Sequence, residues 1–264
     1  MSFTETFLKP NSFVSGFFQP AAAVTFDVLL KHQKESRITG NCLEIGIWHG
    51  KSAALTAGYI ESDQQFLMID AIAERLRPHV TETFAAVGLD LADPRYKFVQ
   101  SYSQDTLDHV GTEQLKQRFR MIHIDGLHDG RTVYTDIEIA DRLCAENGVV
   151  ILDDFFSPAF PGLTASYYAY AQAHPYSFVL IMVGARKGVL ARPKYAESYR
   201  KALIVSLEPR LSAEGILMTL HKPSADQDCY AIGLETRGRL TEPFHGDYKH
   251  ELYAIRDSGT TASQ

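Results

Sequence analysis

The sequence predicts an α/β fold: a sheet with a parallel core, helices on both faces and an antiparallel hairpin at its end. Three observations carry this expectation. The apolar runs NCLEI, QFLMID, YKFVQ, FRMIHID and GVVILDD alternate with helix-like stretches. Runs this short and this continuously apolar mark strands buried on both faces. Between the last two, Val133, Ile137, Ala140 and Cys144 recur near the helical period, so an apolar stripe covers the sheet and the connection is a right-handed βαβ crossover. The stretch YSFVLIMVGARKGVL then reads as two strands joined by a turn between Gly184 and Gly188, a hairpin and not another crossover.

Taken in order, residues 1–40 form an N-terminal helical segment, with Ala21 to Lys34 helical and Val24, Val28 and Leu29 on one side. Residues 41–192 form the α/β domain, and residues 193–264 an extension packed on it. Within the extension, ILMTL and CYAIGLE have the pattern of two further strands, against the main sheet or a second copy of the chain, and SGTTASQ reads as a disordered tail. A homo-oligomer is therefore one option. A chain of 264 residues with 45% apolar and 22% charged residues is large enough for one sizeable core. Cys42, Cys144 and Cys229 lack the spacing of a disulfide framework or zinc ribbon, and the first two read as small buried hydrophobes. The net charge of −6, without a basic stripe, argues against a nucleic-acid partner. No apolar run is long enough to cross a membrane, and no basic leader precedes a hydrophobic stretch, so a cytoplasmic protein acting on a small molecule is expected.

The first predicted strand runs into Glu44-Ile-Gly46-Ile-Trp-His-Gly50-Lys-Ser52 and a helix. Glycines at such a turn let a ligand approach the backbone near the positive end of the helix. A dinucleotide fingerprint fails, because Trp48 holds its second glycine position and Lys51 its third. A phosphate-cradling loop fails too, because three residues and not four separate Gly46 from Gly50. The remaining pattern, E-x-G-x-x-x-G-x-S, resembles the first motif of class I S-adenosylmethionine methyltransferases. The resemblance implies a Rossmann-like, seven-stranded methyltransferase sheet. It also implies that Gly46 and Gly50 make room for the cofactor's methionine portion, with Glu44 and Ser52 as polar partners. Asp70, at the end of the second strand, stands where an acidic residue accepts the ribose hydroxyls. After the third strand the adenine contact falls to Ser101, Tyr102 or Asp105, and Ser103 suits a helix N-cap.

Four predicted strands end in acid: Glu44, Asp70, Asp125 and the pair Asp153-Asp154. Ligands of open α/β sheets bind at this rim. Several carboxylates there repel one another, and a hard cation such as Mg²⁺ with oxygen ligands relieves the conflict. HIDGLH followed by VVILDD resembles the metal-dependent O-methyltransferases, among them catechol O-methyltransferase and the macrolide-sugar and cephalosporin-pathway enzymes. That resemblance covers about Asn41 to Arg192 and implies Asp125, Asp153 and Asp154 as ligands of Mg²⁺ or another divalent cation. It also implies methyl transfer to a small-molecule or sugar hydroxyl, with Asp125 and His128 catalytic. His128, three residues after Asp125, stands where catechol O-methyltransferase carries a lysine, and an imidazole accepts a proton more readily near neutrality. Asp125 or Asp153 as loop caps, and His128 as a solvated loop residue, are the plainer readings. His123 reads as a core residue, and His49 either touches cofactor or substrate or only shapes the turn with Trp48. The loop Phe155 to Thr164, with two prolines and three aromatics, is expected to wall a substrate pocket. The alternatives are a metal-free N- or C-methyltransferase, a non-catalytic cofactor-binding module and, on glycine spacing the weakest, a nicotinamide dehydrogenase.

Overall fold

The computed structural model describes residues 3–8, 14, 16–110, 118–221 and 231–236. After a short helical turn at Thr4–Leu8 the elements run α1 (Pro20–Glu35), β1 (Asn41–Ile45), α2 (Lys51–Ala57), β2 (Phe66–Asp70), α3 (Ala73–Ala86) and β3 (Tyr96–Gln100). They continue α4 (Thr106–Val110), β4 (Phe119–Ile124), α5 (Gly130–Leu143), β5 (Cys144–Leu152), α6 (Pro161–Ala173), β6 (Val179–Gly184), β7 (Lys187–Ala191), α7 (Pro193–Ala213), β8 (Met218–His221) and β9 (Ile232–Thr236).

The strands form one sheet in the order β3-β2-β1-β4-β5-β7-β6-β9-β8. The first five are parallel; β7 runs antiparallel to β5, and β6 antiparallel to β7. That is the expected seven-stranded arrangement, and β9 and β8 then extend it beyond β6 to nine strands. The two late apolar runs thus pair with the main sheet. Cys144 differs from its expected place: α5 stops before it, and it opens β5 instead of closing the helical stripe. Cys229 and the tail lie outside the described residues.

Strand alternation divides the apolar side chains between two layers. Cys42, Phe66, Met68, Met121, Val149 and Ile151 join α1, α2, α3 and α7 on one face. Leu43, Ile45, Leu67, Ile69, Ile122, Ile124, Val150 and Leu152 join α5 and α6 on the other. Glu44 and His123 break the pattern as buried polar register partners of β1 and β4 on the α1 face, with Phe26 edge-on to His123 at 5.0 Å. Proline opens α1, α6 and α7, where its missing N–H has no helical partner to lose. Asp129 caps α5 by accepting from the amides of Arg131 and Thr132 at 3.1 and 3.0 Å. A buried network joins α1 and α7 to the sheet. Gln33 of α1 donates to the Arg120 carbonyl at 2.7 Å and to the Tyr199 hydroxyl at 3.0 Å, and Tyr199 donates to the Asn147 carbonyl at 2.6 Å. Among the described residues no helix is long and apolar enough to cross a membrane.

Candidate active site

The glycine loop is shaped from within. Gly46 has φ +85, and a Cβ added to it would lie 2.0 Å from the Asp125 carbonyl oxygen. Its missing side chain lets the loops after β1 and β4 touch. Gly50, at φ +79, begins α2 with its open side against Val80 of α3, 3.1 Å from a built Cβ. On the Cβ side of each glycine the neighbour is protein, while Gly50 also lines the cavity described below. Asp70 holds the loop in place: its Oδ2 accepts from the amides of Ile47 at 2.9 Å and Trp48 at 3.3 Å, and its Oδ1 from Ile72 at 2.9 Å. Trp48 is thereby kept at φ +48, a region non-glycine residues rarely enter.

Glu44 is fully buried behind the loop, its Oε1 2.5 Å from the Ser52 hydroxyl that donates to it and 3.0 Å from His123 Nδ1. Ser52 faces the cavity described below, whereas Glu44 does not line it. Ser101 and Tyr102 follow β3 beside Asp70: the Ser101 amide donates to the Asp70 carbonyl at 3.1 Å, and Tyr102 is exposed. They lie outside that cavity, as Asp70 does. Ser103 opens a short 3₁₀ turn at Ser103–Asp105 and is not an N-cap.

A cavity of about 610 Å³ opens past the carboxyl ends of β1, β4 and β5. The glycine loop from Ile47 to Ser52 forms one wall, and Asp125, His128, Asp153 and Asp154 the opposite one. Gly16 to Gln19, ahead of α1, and Phe160 contribute further lining, and the β6–β7 turn supplies Ala185, Arg186 and Lys187. Of the expected aromatic wall only Phe160 lines the cavity; Phe155 is buried beneath Gly188 and Phe156 is exposed. Trp48, Asp154, Ala185 and Arg186 all line the cavity at positive φ. Such strain persists where packing or function over-determines it.

Of the strand-end acids, Asp125, Asp153 and Asp154 meet on one wall of the cavity while Glu44 and Asp70 do not, and two cations come with them. The amides of Asp125 and Asp153 each extend the parallel ladder by one bond, donating to Ile45 at 2.8 Å and Ile124 at 2.9 Å, so both side chains emerge at the strand ends. The Lys187 ammonium is ion-paired to Asp153, and the Arg186 guanidinium to Asp154 at 2.5 Å. His128 Nε2 stands 3.6 Å from Asp125 Oδ1 and 3.5 Å from Asp154 Oδ2, its ring 4.5 Å from that of Phe160. Burial, then the charge of Asp153, pushes the Asp125 carboxyl well above the usual range. Burial would raise Asp153 as well, but Lys187, His123 and hydrogen bonds from Asp125 and Lys187 hold it below. The two acids are thus shifted in opposite directions and titrate as one coupled pair. Burial lowers His128 below the ordinary imidazole value, against the opposing pull of Asp154 and Asp153.

His123, Asp125 and Asp153 offer three ligand atoms within 4.8 Å of one another. Asp154, expected as the third ligand, faces Arg186 and His128 instead. His123, Arg186 and Lys187 are site residues that the sequence reading missed. The hairpin that carries the last two was legible in sequence, but it is the antiparallel register with β5, Leu152 opposite Gly188, that brings Arg186-Lys187 alongside Asp153-Asp154.

Residues 43–155 match the model of a family described as a methyltransferase domain, and the fold is one shared with solved O-methyltransferases. Among solved structures it is similar to the O-methyltransferase NovP, at 15% identity and a TM-score of 0.53 over 65% of this chain and 80% of that one. It is equally similar to CalS11, a TDP-rhamnose 3′-O-methyltransferase of calicheamicin biosynthesis, at 15% and 0.53 over 66% and 80%. A Corynebacterium glutamicum protein aligns at 13% and 0.51 over 64% and 79%. At these identities the likeness is one of fold. No curated protein matches the chain in sequence.

Proposed function

We propose that this chain transfers the methyl group of S-adenosylmethionine to a hydroxyl of a small acceptor, a sugar being the favoured class, bound in the cavity beside the acidic rim. The observation that carries the reading is His128, an imidazole held on the cavity wall between two carboxylates and shifted toward its neutral form. A neutral imidazole there accepts the hydroxyl proton as the oxygen attacks. The cavity volume suits a small molecule. Its carboxylates suit an acceptor with several hydroxyls, and NovP and CalS11 are themselves O-methyltransferases. Residues 41–192 would form the catalytic unit, with the segment before α1 supplying part of the cavity wall. The cofactor, which brings the methyl group on a sulfonium, would extend from the cavity past the glycine loop toward Asp70, Ser101 and Tyr102. Ser52 would face its methionine end, with Glu44 fixing the Ser52 hydroxyl.

Metal assistance is the second reading. One observation favours it, the convergence of His123, Asp125 and Asp153, with His123 Nε2 buried and without a hydrogen-bond partner. The donor set as it stands does not fit a divalent ion. Lys187 already holds Asp153, Arg186 holds Asp154, and a divalent ion there would meet an ammonium at close range. No step is assigned to a metal.

The test is a screen with methyl-labelled S-adenosylmethionine against sugars, nucleotide sugars, polyols, phenols and amines. A labelled methyl ether is the expected product. Label only on nitrogen or carbon, or cofactor binding with no product from any acceptor, would replace this reading with one of its alternatives.

A further inference from the structure

We propose that Lys187 is the resident cation of the acidic rim, so that methyl transfer proceeds without a divalent metal and the Lys187 ammonium stabilises the negative charge left on the acceptor oxygen as its proton leaves. The inference rests on the methyl-transfer reading above and adds to it the source of the positive charge.

Position is the first argument. The Lys187 side chain is 3% exposed, ion-paired to Asp153, with the Phe18 ring 5.6 Å from its nitrogen, and it lines the cavity. Burying an ammonium is expensive unless it is paired, so such a residue is rarely incidental.

The second argument is how the ammonium is held. It opens β7 directly after a two-residue turn, Ala185-Arg186, with φ +51 and +59. The Phe155 amide donates to the Arg186 carbonyl at 3.1 Å and fastens that turn to the end of β5. The antiparallel register then sets Lys187 against Asp153 and Arg186 against Asp154. Two cations face two carboxylates on a rigid hairpin, which is the charge balance that the sequence reading had assigned to a metal.

The chemistry closes with the groups present. An acceptor oxygen forms a bond to the methyl carbon while the carbon–sulfur bond breaks and its electron pair stays on sulfur. The hydroxyl proton passes to His128 Nε2. Lys187 keeps its proton throughout and acts as a preorganised donor, since an ammonium has three hydrogens and its contact with Asp153 Oδ1 engages one.

The experiment uses the full chain after exhaustive chelation. Calorimetric titration with Mg²⁺ and with Mn²⁺ is expected to give no binding at this site, and turnover of the acceptor found by the screen is expected to change less than about twofold on chelation or on added Mg²⁺, since no metal supplies the stabilisation. Lys187→Met should lower kcat by roughly 10²-fold, the scale of losing one such donor, with cofactor affinity unchanged. Because that variant leaves Asp153 buried and unpaired, Lys187→Met/Asp153→Asn is measured beside it. It should fold as stably as the parent and show the same kcat loss. Tight metal binding abolished by Asp153→Asn, turnover lost on chelation and restored by Mg²⁺, or full kcat in the folded double variant would each overturn the proposal. The titration decides the metal claim even where no acceptor is methylated, so failure of the methyl-transfer reading is read separately.

Discussion

His128 shows how burial sets chemistry at one side chain. Desolvation lowers its pKa more than Asp154 and Asp153 raise it, so the folded chain holds the imidazole neutral to lower pH than a free histidine would be. A general base works only when neutral, so turnover should persist as pH falls past the ordinary imidazole value and decline below it. His128→Ala should slow single-turnover methyl transfer by roughly 10²–10⁴-fold and remove that acidic limb, leaving cofactor affinity nearly unchanged. Equal rates and pH profiles in variant and wild type would return His128 to an ordinary loop histidine. Gly46 gives a contrasting case. Its substitution is a backbone event, because the Asp125 carbonyl fills the space and φ is +85. Gly46→Ala should therefore cost on the order of 3 kcal/mol or more in denaturant unfolding. A variant with full stability that has lost only cofactor binding would show that the glycine serves the ligand directly.

At the scale of elements, the parallel strands were legible because each is an apolar run bounded by turn residues, and their ends located Asp125, Asp153 and His128 in one cavity wall. The hairpin was legible from Gly184 and Gly188, yet its consequence was not. Sequence periodicity shows that β7 exists; only its pairing with β5 shows that Lys187 meets Asp153. The same gap explains Asp70 and Glu44. Both are strand-end acids in sequence, but their partners, the Ile47 and Trp48 amides for one and Ser52 with His123 for the other, depend on loop geometry that no spacing encodes. Cys144 fell on the wrong side of a boundary because α5 passes into β5 without a turn residue between them.

At the scale of the whole molecule, two carboxyls of α5 bear on stability with opposite dependence on pH. Burial would raise Asp141 of α5, but hydrogen bonds from Tyr170 and Ser177 together with Arg192 hold it below the usual carboxylate range. A depressed acid contributes stability above its unfolded pKa, and that contribution is lost as pH falls through the folded value. Asp136 of the same helix is fully buried, and burial pushes it from 3.8 up to about 7. Its sign is the reverse. Between those two values the folded state holds a proton that the unfolded state has released, so stability falls as pH rises and the loss is complete above about 7. A shift of that size corresponds to at most about 4 kcal/mol. The stability maximum should therefore lie on the acidic side of neutrality. Asp136→Asn keeps the shape and removes the ionisation. It should stabilise more at pH 8 than at pH 5, by about 2–3 kcal/mol, with the maximum displaced upward. Urea unfolding at the two pH values measures this directly. An equal effect of the substitution at both would mean that Asp136 ionises in the folded chain as readily as in the unfolded one, and that burial at this position is relieved by water or by movement of α5.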